Sequence, residues 1–217
     1  YIKAKFKLVK NQTNNDLVFL NTKNLHIKKE IKKNKIFSKI IKINNSVNSN
    51  ILKKINNPYF ITEGNKENLS FIFEIAKKLN IKKNKLFKTL KNFNGLKYRQ
   101  QIIHRSKNLT IINDSKATSY SSSVSILKSL SNVYWIVGGL AKKGDKFLLS
   151  KKDCKTFKAY IFGKNKNIFS RQLKNIMNCQ HFTDLVFLLK KVLLDIKKDK
   201  NKKHKTILFS PASASFD

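Results

Sequence analysis

Three apolar runs in the second half of the chain end abruptly in polar loops, and this repeated exit restricts the fold more than anything else in the sequence. Ile111, Ile112 and Asn113 lead into Asp114-Ser115-Lys116-Ala117-Thr118. Residues 133–137 lead into Gly138-Gly139-Leu140-Ala141-Lys142-Lys143-Gly144-Asp145, and residues 206–209 lead into Ser210-Pro211-Ala212-Ser213-Ala214-Ser215-Phe216-Asp217. Short β-branched and aromatic runs bounded by such turns read as strands. Strands are predicted near 110–113, 133–137, 158–162, 179–182 and 206–209, with helices between them, including 119–130 and 184–197. Such alternation gives a mostly parallel sheet with right-handed crossovers. The exits then share one edge, where the ligands of α/β sheets bind.

The turn at Asp114 has two readings. Asp and Ser before a helix are ordinary capping residues. A carboxylate, an ammonium, two hydroxyls and free helix-end N–H groups in one place also suit a phosphate or a metal-bound phosphate. Upstream of Leu96 the pattern changes. Residues 17–20, 25–31 and 36–41 are predicted as short strands separated by Asn- and Lys-rich turns. Leu69, Ile72, Phe73, Ala76 and Leu79 then recur at helical spacing, as do Leu86, Leu90 and Phe93.

Four segments carry a resemblance to the Mur ligases. They are Asn-Asp-Ser-Lys-Ala-Thr from Asn113, Gly-Gly-x-x-Lys from Gly138, Ser-Pro-Ala-x-Ala-Ser-x-Asp from Ser210, and Phe93-Asn94-Gly95-Leu96-Lys97-Tyr98-Arg99. In the last, Tyr98 stands where the family usually has histidine. Members that add other amino acids carry something like Asp-Tyr-x-His-x-Pro at the first motif, so the resemblance favours the branch that adds D-glutamate.

The resemblance implies an α/β protein whose residues 97–217 form a Rossmann-like, mostly parallel amino-acid-binding domain with flanking helices. Residues 1–96 would be the end of an α/β ATP-binding central domain. It implies ATP-dependent amide formation through an acyl phosphate, with UDP-N-acetylmuramoyl-L-alanine and D-glutamate as substrates and ATP and Mg²⁺ as cofactors. By position, Arg99, Asp114 and Asn65 match the nucleotide side, although Gly64 replaces the histidine that usually precedes Asn65. Asp114 and Lys116 match the catalytic turn. Thr118, Lys142, Ser215 and Phe216 match the residues that hold D-glutamate. Tyr1-x-x-Ala4-Lys5 resembles the segment whose lysine is carbamylated and helps to hold Mg²⁺, a carbamate being an oxygen ligand suited to a hard cation. A folylpolyglutamate-synthetase-like relative is the nearby alternative. The chain starts at Tyr1 and contains no Gly-rich phosphate loop ending in Gly-Lys-[Ser/Thr], so a fragment without ATP turnover of its own is expected.

Charge offers a competing reading. The formal +35 comes from 47 Lys and Arg against 12 Asp and Glu, a balance that attracts polyanions. The excess is nearly all lysine, spread along the chain with Asn, Ile and Phe, as AT-rich coding would produce, and no nucleic-acid partner is expected. Two cysteines do not make a disulfide framework, and the four histidines lack zinc-ligand spacing. No apolar run is long enough to span a membrane. A cytoplasmic monomer without a membrane partner is the expectation.

Overall fold

The computed structural model describes residues 2–43 and 47–213. They divide into two compact units, one of residues 1–57 with 65–91 and the other of 58–64 with 92–217.

The first unit contains α1 (Ile2–Lys10), β1 (Leu17–Asn21), α2 (Leu25–Lys33), β2 (Lys39–Ile43), α3 (Ser49–Ile55), most of α4 (Glu63–Lys78) and α5 (Lys83–Lys91). Its two strands run parallel, from Leu17 beside Lys39 to Asn21 beside Ile43. A parallel pair requires a crossover rather than a hairpin, and α2 supplies it. This corrects the strand predicted over 25–31. The Asn24 side chain caps the segment by accepting the N–H groups of His26 and Ile27, and Ile27 and Ile31, four apart, pack on Phe6, Val9, Val18 and Leu20. In α4, Leu69 and Ala76 are buried as their spacing predicts, whereas Leu79 is exposed. Phe93 lies beyond α5, where its ring meets Tyr59 and Phe60 of the second unit.

The second unit is built from β3 (Gln101–Arg105), β4 (Leu109–Asn113), α6 (Tyr120–Leu127), β5 (Val133–Gly138), β6 (Phe157–Phe162), α7 (Lys166–Leu173), β7 (Asn178–His181), α8 (Leu185–Lys198) and β8 (Lys205–Phe209). The sheet order is β3-β4-β8-β5-β6-β7. All neighbours are parallel except β3 and β4, whose pairing carries an irregularity between Ile102 and His104.

Alternation along β5 divides the core. Val133, Trp135 and Val137 face α6 and α7 with Ile126, Leu127, Phe169 and Leu173. Tyr134 and Ile136 face α8 with Leu188 and Val192. Strands covered on both faces read as unbroken apolar runs, and each large aliphatic or aromatic side chain buried in them contributes about 1.5–3 kcal/mol. The result is the α/β, mostly parallel sheet with flanking helices that the sequence predicts. Helix α6 is shorter than the predicted 119–130: Ser119 caps its start, and the chain beyond Leu127 continues in turns.

Candidate active site

Register fixes one end of the sheet. Asn113 lies beside Phe209, Ile136 beside Phe209, and Gly138 beside Phe162. The loops after β4, β5, β6 and β8 therefore leave from the same carboxyl edge. Gly138 has φ 138° there, and a Cβ at that position would stand 2.0 Å from the Phe162 carbonyl oxygen. The first glycine of the Gly-Gly pair is thus required by the approach of β6.

Two hydrogen-bonded joints tie these loops together. The Tyr120 N–H donates to Asp145 Oδ2 at 2.6 Å, joining the loop of Asp114, Lys116 and Thr118 to the loop of Lys142. Ala141 and Ser213 form an isolated bridge, joining the loops after β5 and β8. Within the Lys142 loop, the Asp145 N–H donates to the Lys142 carbonyl at 3.1 Å, and Asn165 accepts the Ala141 N–H at 2.9 Å.

Asp114, directly after β4 at this edge, is buried. One carboxylate oxygen accepts the Gln100 N–H at 3.1 Å and the other accepts the Ser210 hydroxyl at 3.0 Å. The approach of the Gln100 N–H depends on left-handed backbone at Tyr98 (φ 65°) and Gln100 (φ 48°), and the Lys116 N–H donates to the Tyr98 carbonyl at 3.1 Å. Burial raises the Asp114 carboxyl above the ordinary carboxylate range, while the Gln100 and Ser210 hydrogen bonds and the Arg99 charge oppose the rise. The Tyr59 phenol is likewise pushed up by burial; Arg99 lowers it and Asp114 adds to the rise.

Arg99, Lys116, Thr118 and Lys142 all present exposed side chains on the segments around this edge. Ser215 and Phe216 lie outside the described residues. Asn65 and Lys5 belong to the first unit: Asn65 is buried in α4 and Lys5 is exposed on α1. Asp145, Gln100, Ser210 and Ser123 were not singled out from the sequence. Ser210 sits at the head of a quoted motif, but its partner Asp114 is 96 positions away, a distance no local pattern spans.

The residues suit a magnesium nucleotide only in part. Among the described residues no group of three His, Cys, Asp or Glu could hold a metal. Mg²⁺ usually keeps substrate phosphates and waters as ligands alongside one or two carboxylates, so Asp114 meets that need as a single carboxylate.

No protein-family model matches the chain. Curated relatives do. The UDP-N-acetylmuramoylalanine–D-glutamate ligase of Wolbachia sp. subsp. Brugia malayi is 34% identical over 153 residues, covering 70% of this chain and 30% of the relative. The ligase of the same name from Rickettsia bellii is 31% identical, covering 70% of this chain and 34% of the relative. That from Hydrogenobaculum sp. is 29% identical across 100% of this chain and 54% of its own length. The chain thus spans 30% to 54% of the length of these three relatives. Among solved structures, the MurF ligase from Thermotoga maritima in complex with ADP superposes with a TM-score of 0.64 at 11% identity, over 98% of this chain and 53% of that one. The Helicobacter pylori folylpolyglutamate synthetase gives 0.53 at 13%, over 96% of this chain and 53% of that one. These two likenesses speak for the fold, and the sequence relatives for the lineage. The chain belongs to the Mur ligase family.

Proposed function

We propose that this chain is part of an ATP-dependent ligase that joins D-glutamate to UDP-N-acetylmuramoyl-L-alanine. The observation that carries the reading is the shared edge: the loops bearing Asp-Ser-Lys-Ala-Thr and Gly-Gly-x-x-Lys leave the same end of one sheet and are tied by the Tyr120–Asp145 hydrogen bond. The two motifs are thereby held in one region despite their sequence separation.

In the proposed reaction, an oxygen of the alanyl carboxylate forms a bond to the γ-phosphorus of ATP and ADP leaves, giving an acyl phosphate. The D-glutamate amine then forms a C–N bond to the acyl carbon. The tetrahedral intermediate collapses as the C–O bond to phosphate breaks and the amine gives up a proton. Charge gathers on phosphoryl oxygens in both steps, and fixed cations stabilise it. Lys116 and Arg99 are assigned that task. Asp114 is assigned to the nucleotide side, with Asn65 toward adenine. Bound Mg²⁺ would offset phosphate charge, and a carbamylated Lys5 would supply an oxygen ligand for it.

Lys142 and Thr118, with Ser215 and Phe216, are assigned to D-glutamate, because a dicarboxylate calls for an ammonium, hydroxyls and N–H donors. Residues 1–96 are assigned to the nucleotide-binding domain and 97–217 to the amino-acid-binding domain. A cytoplasmic monomer accords with these substrates. Among the described residues no helix is long and apolar enough to cross a membrane.

The test is D-glutamate recognition. Lys142→Ala should weaken D-glutamate binding by about 1.5–3 kcal/mol, measured by calorimetry or as a raised KM in the ligase that carries this chain. ATP affinity should stay near its starting value. Lys143→Ala and Lys146→Ala should change little, because a diffuse field hardly registers one charge among many. Equal effects from all three variants would refute the assignment. A folylpolyglutamate-synthetase-like ligase is the alternative reading, in which L-glutamate would be the added amino acid; preference for the L isomer in the same titration would select it.

A further inference from the structure

The polar groups behind Asp114 form a chain with one direction. Asn113 and Phe209 are the last paired residues of β4 and β8, so Asp114 and Ser210 follow side by side. Both are pinned through their backbones: the Asp114 N–H donates to the Phe209 carbonyl at 2.7 Å and the Ser210 N–H to the Ile136 carbonyl at 3.2 Å. Trp135 Nε1 donates to the Ser210 carbonyl at 2.8 Å. The Ser210 hydroxyl lies 2.7 Å from the hydroxyl of Ser123, on the inner side of α6. Ser210 and Ser123 are both 0% exposed and Asp114 is 6% exposed.

A hydroxyl has one proton to give. An ionised Asp114 can only accept, so Ser210 gives its proton to Oδ2. Ser123 must then give its own to Ser210 Oγ. Each donor in such a row polarises the next. Protonating Asp114 at Oδ2 would force both hydroxyls to turn round, leaving Ser123 only the Ser210 carbonyl, at 3.5 Å, as an acceptor within this network. Protonating the other oxygen would set an O–H against the Gln100 N–H. The neutral arrangements either reverse the row, so that its bond to Asp114 is no longer made to an ionised acceptor and is weaker, or oppose two donors.

We propose that Ser210 and Ser123 are positioning residues for Asp114, a buried one-way row of hydroxyl donors that holds its carboxylate in a single orientation as an acceptor for the nucleotide side of the reaction. The inference rests on the reading of Asp114 given under Proposed function. Two of the four lone-pair sites of the carboxylate are taken by Gln100 and Ser210 from the protein side, which leaves the others for a ligand. The charged and titratable groups facing Asp114 are Arg99 and the Tyr59 phenol. Neither belongs to the row, so both remain when a serine is removed.

The experiment is a titration of Asp114 by carboxyl-carbon NMR in the 217-residue chain, with Asp195 as an internal control. Ser210→Ala should raise the Asp114 pKa by about one unit. Ser123→Ala should raise it by about a few tenths, since Ser210 keeps its own bond, and Ser210→Cys should fall between wild type and Ser210→Ala. Asp195 should titrate unchanged. A folded Ser210→Ala protein in which Asp114 titrates as in wild type overturns the proposal, whatever its thermal stability. If Ser210→Ala does not fold, an unchanged Asp114 in Ser123→Ala overturns it equally. In the ligase that carries this chain, the Ser210→Ala change should also shift the acid limb of the pH profile upward and raise KM for ATP. A shifted Asp114 pKa with an unaltered KM for ATP would uphold the hydroxyl row and overturn the nucleotide role of Asp114.

Discussion

Asp114 at the carboxyl edge and the pair Asp195 and Asp199 at the end of α8 are the same residue type in the same unit, yet their acidities move in opposite directions. Asp195 feels burial that would raise it, but Lys191, Tyr160 and Gln180 all donate to it and hold it below the usual carboxylate range. Asp199 is lowered by the Tyr134 hydroxyl and the Asn201 N–H. These two acids anchor α8 to the sheet through the two tyrosines, whose stacked rings stand 6.2 Å apart and whose phenols are in turn pushed up by burial and by the aspartates. Asp114 has two neutral donors and Arg99 nearby, and burial prevails. Donor strength and access to water decide between a carboxylate that fastens the fold and one that the fold holds at some cost in stability. The second kind gathers at functional sites.

Three measurements can break or sharpen that contrast. The largest effect should come from the helix itself. Leu188 is fully buried against the sheet, so Leu188→Ala should destabilise by about 2–5 kcal/mol in denaturant unfolding, while the D-glutamate binding proposed for the carboxyl edge should be unchanged in the protein that remains folded. Coupled loss of binding in protein that is still folded would mean that the α8 face and the carboxyl edge are not separate systems.

A smaller effect is expected from Tyr160→Phe, which removes one of the donors to Asp195. It should lower stability by about 0.5–1.5 kcal/mol, and the Asp195 carboxyl should titrate higher than in wild type. An unmoved Asp195 would show that Lys191 and Gln180 suffice.

The smallest expected effect is in pH dependence, and its sign separates the two regions. Asp195 and Asp199 are lowered by folding, so their contribution is present above the unfolded carboxylate value and is lost as pH falls through the lowered one. Asp114 is raised, so its contribution is full below the unfolded value and is lost as pH rises through the raised one. Asp195→Asn should therefore flatten the loss of stability on acidification, and Asp114→Asn the loss as pH rises through the raised value, both read from denaturation series across pH. Slopes of the same sign for both carboxylates would contradict the contrast.

The central strands β5 and β8 were legible because burial on both faces leaves an almost unbroken apolar run, as in Val133 to Val137. Segment 25–31 misled because Leu25, Ile27 and Ile31 fit a strand as readily as one turn and a half of helix, and only the parallel pairing of β1 with β2 decides between them. Strand β3 was not foreseen: it is an edge strand whose later residues, from Ile103 to Arg105, face solvent. At the site, the motif residues were legible as chemistry. The burial of Asp114 and its link to Ser210 and Ser123 were not, because they arise from the register of β4 with β8 and from the approach of α6.

The placement of β8 has a consequence for the order of assembly. It is the latest of the described strands in the chain, yet it sits between β4 and β5 and bonds to both. During synthesis, β4 and β5 must wait with their facing edges unsatisfied until residues 205–209 emerge, and bare edges of that kind attract other chains. The insertion that closes the sheet also brings Ser210 to Asp114, so the ribosome delivers a complete carboxyl edge only once nearly the whole of this segment has been made. Slowed elongation or premature arrest before residue 205 would leave a partial sheet with a sticky slot and no site, making this strand the checkpoint through which both solubility and competence are acquired.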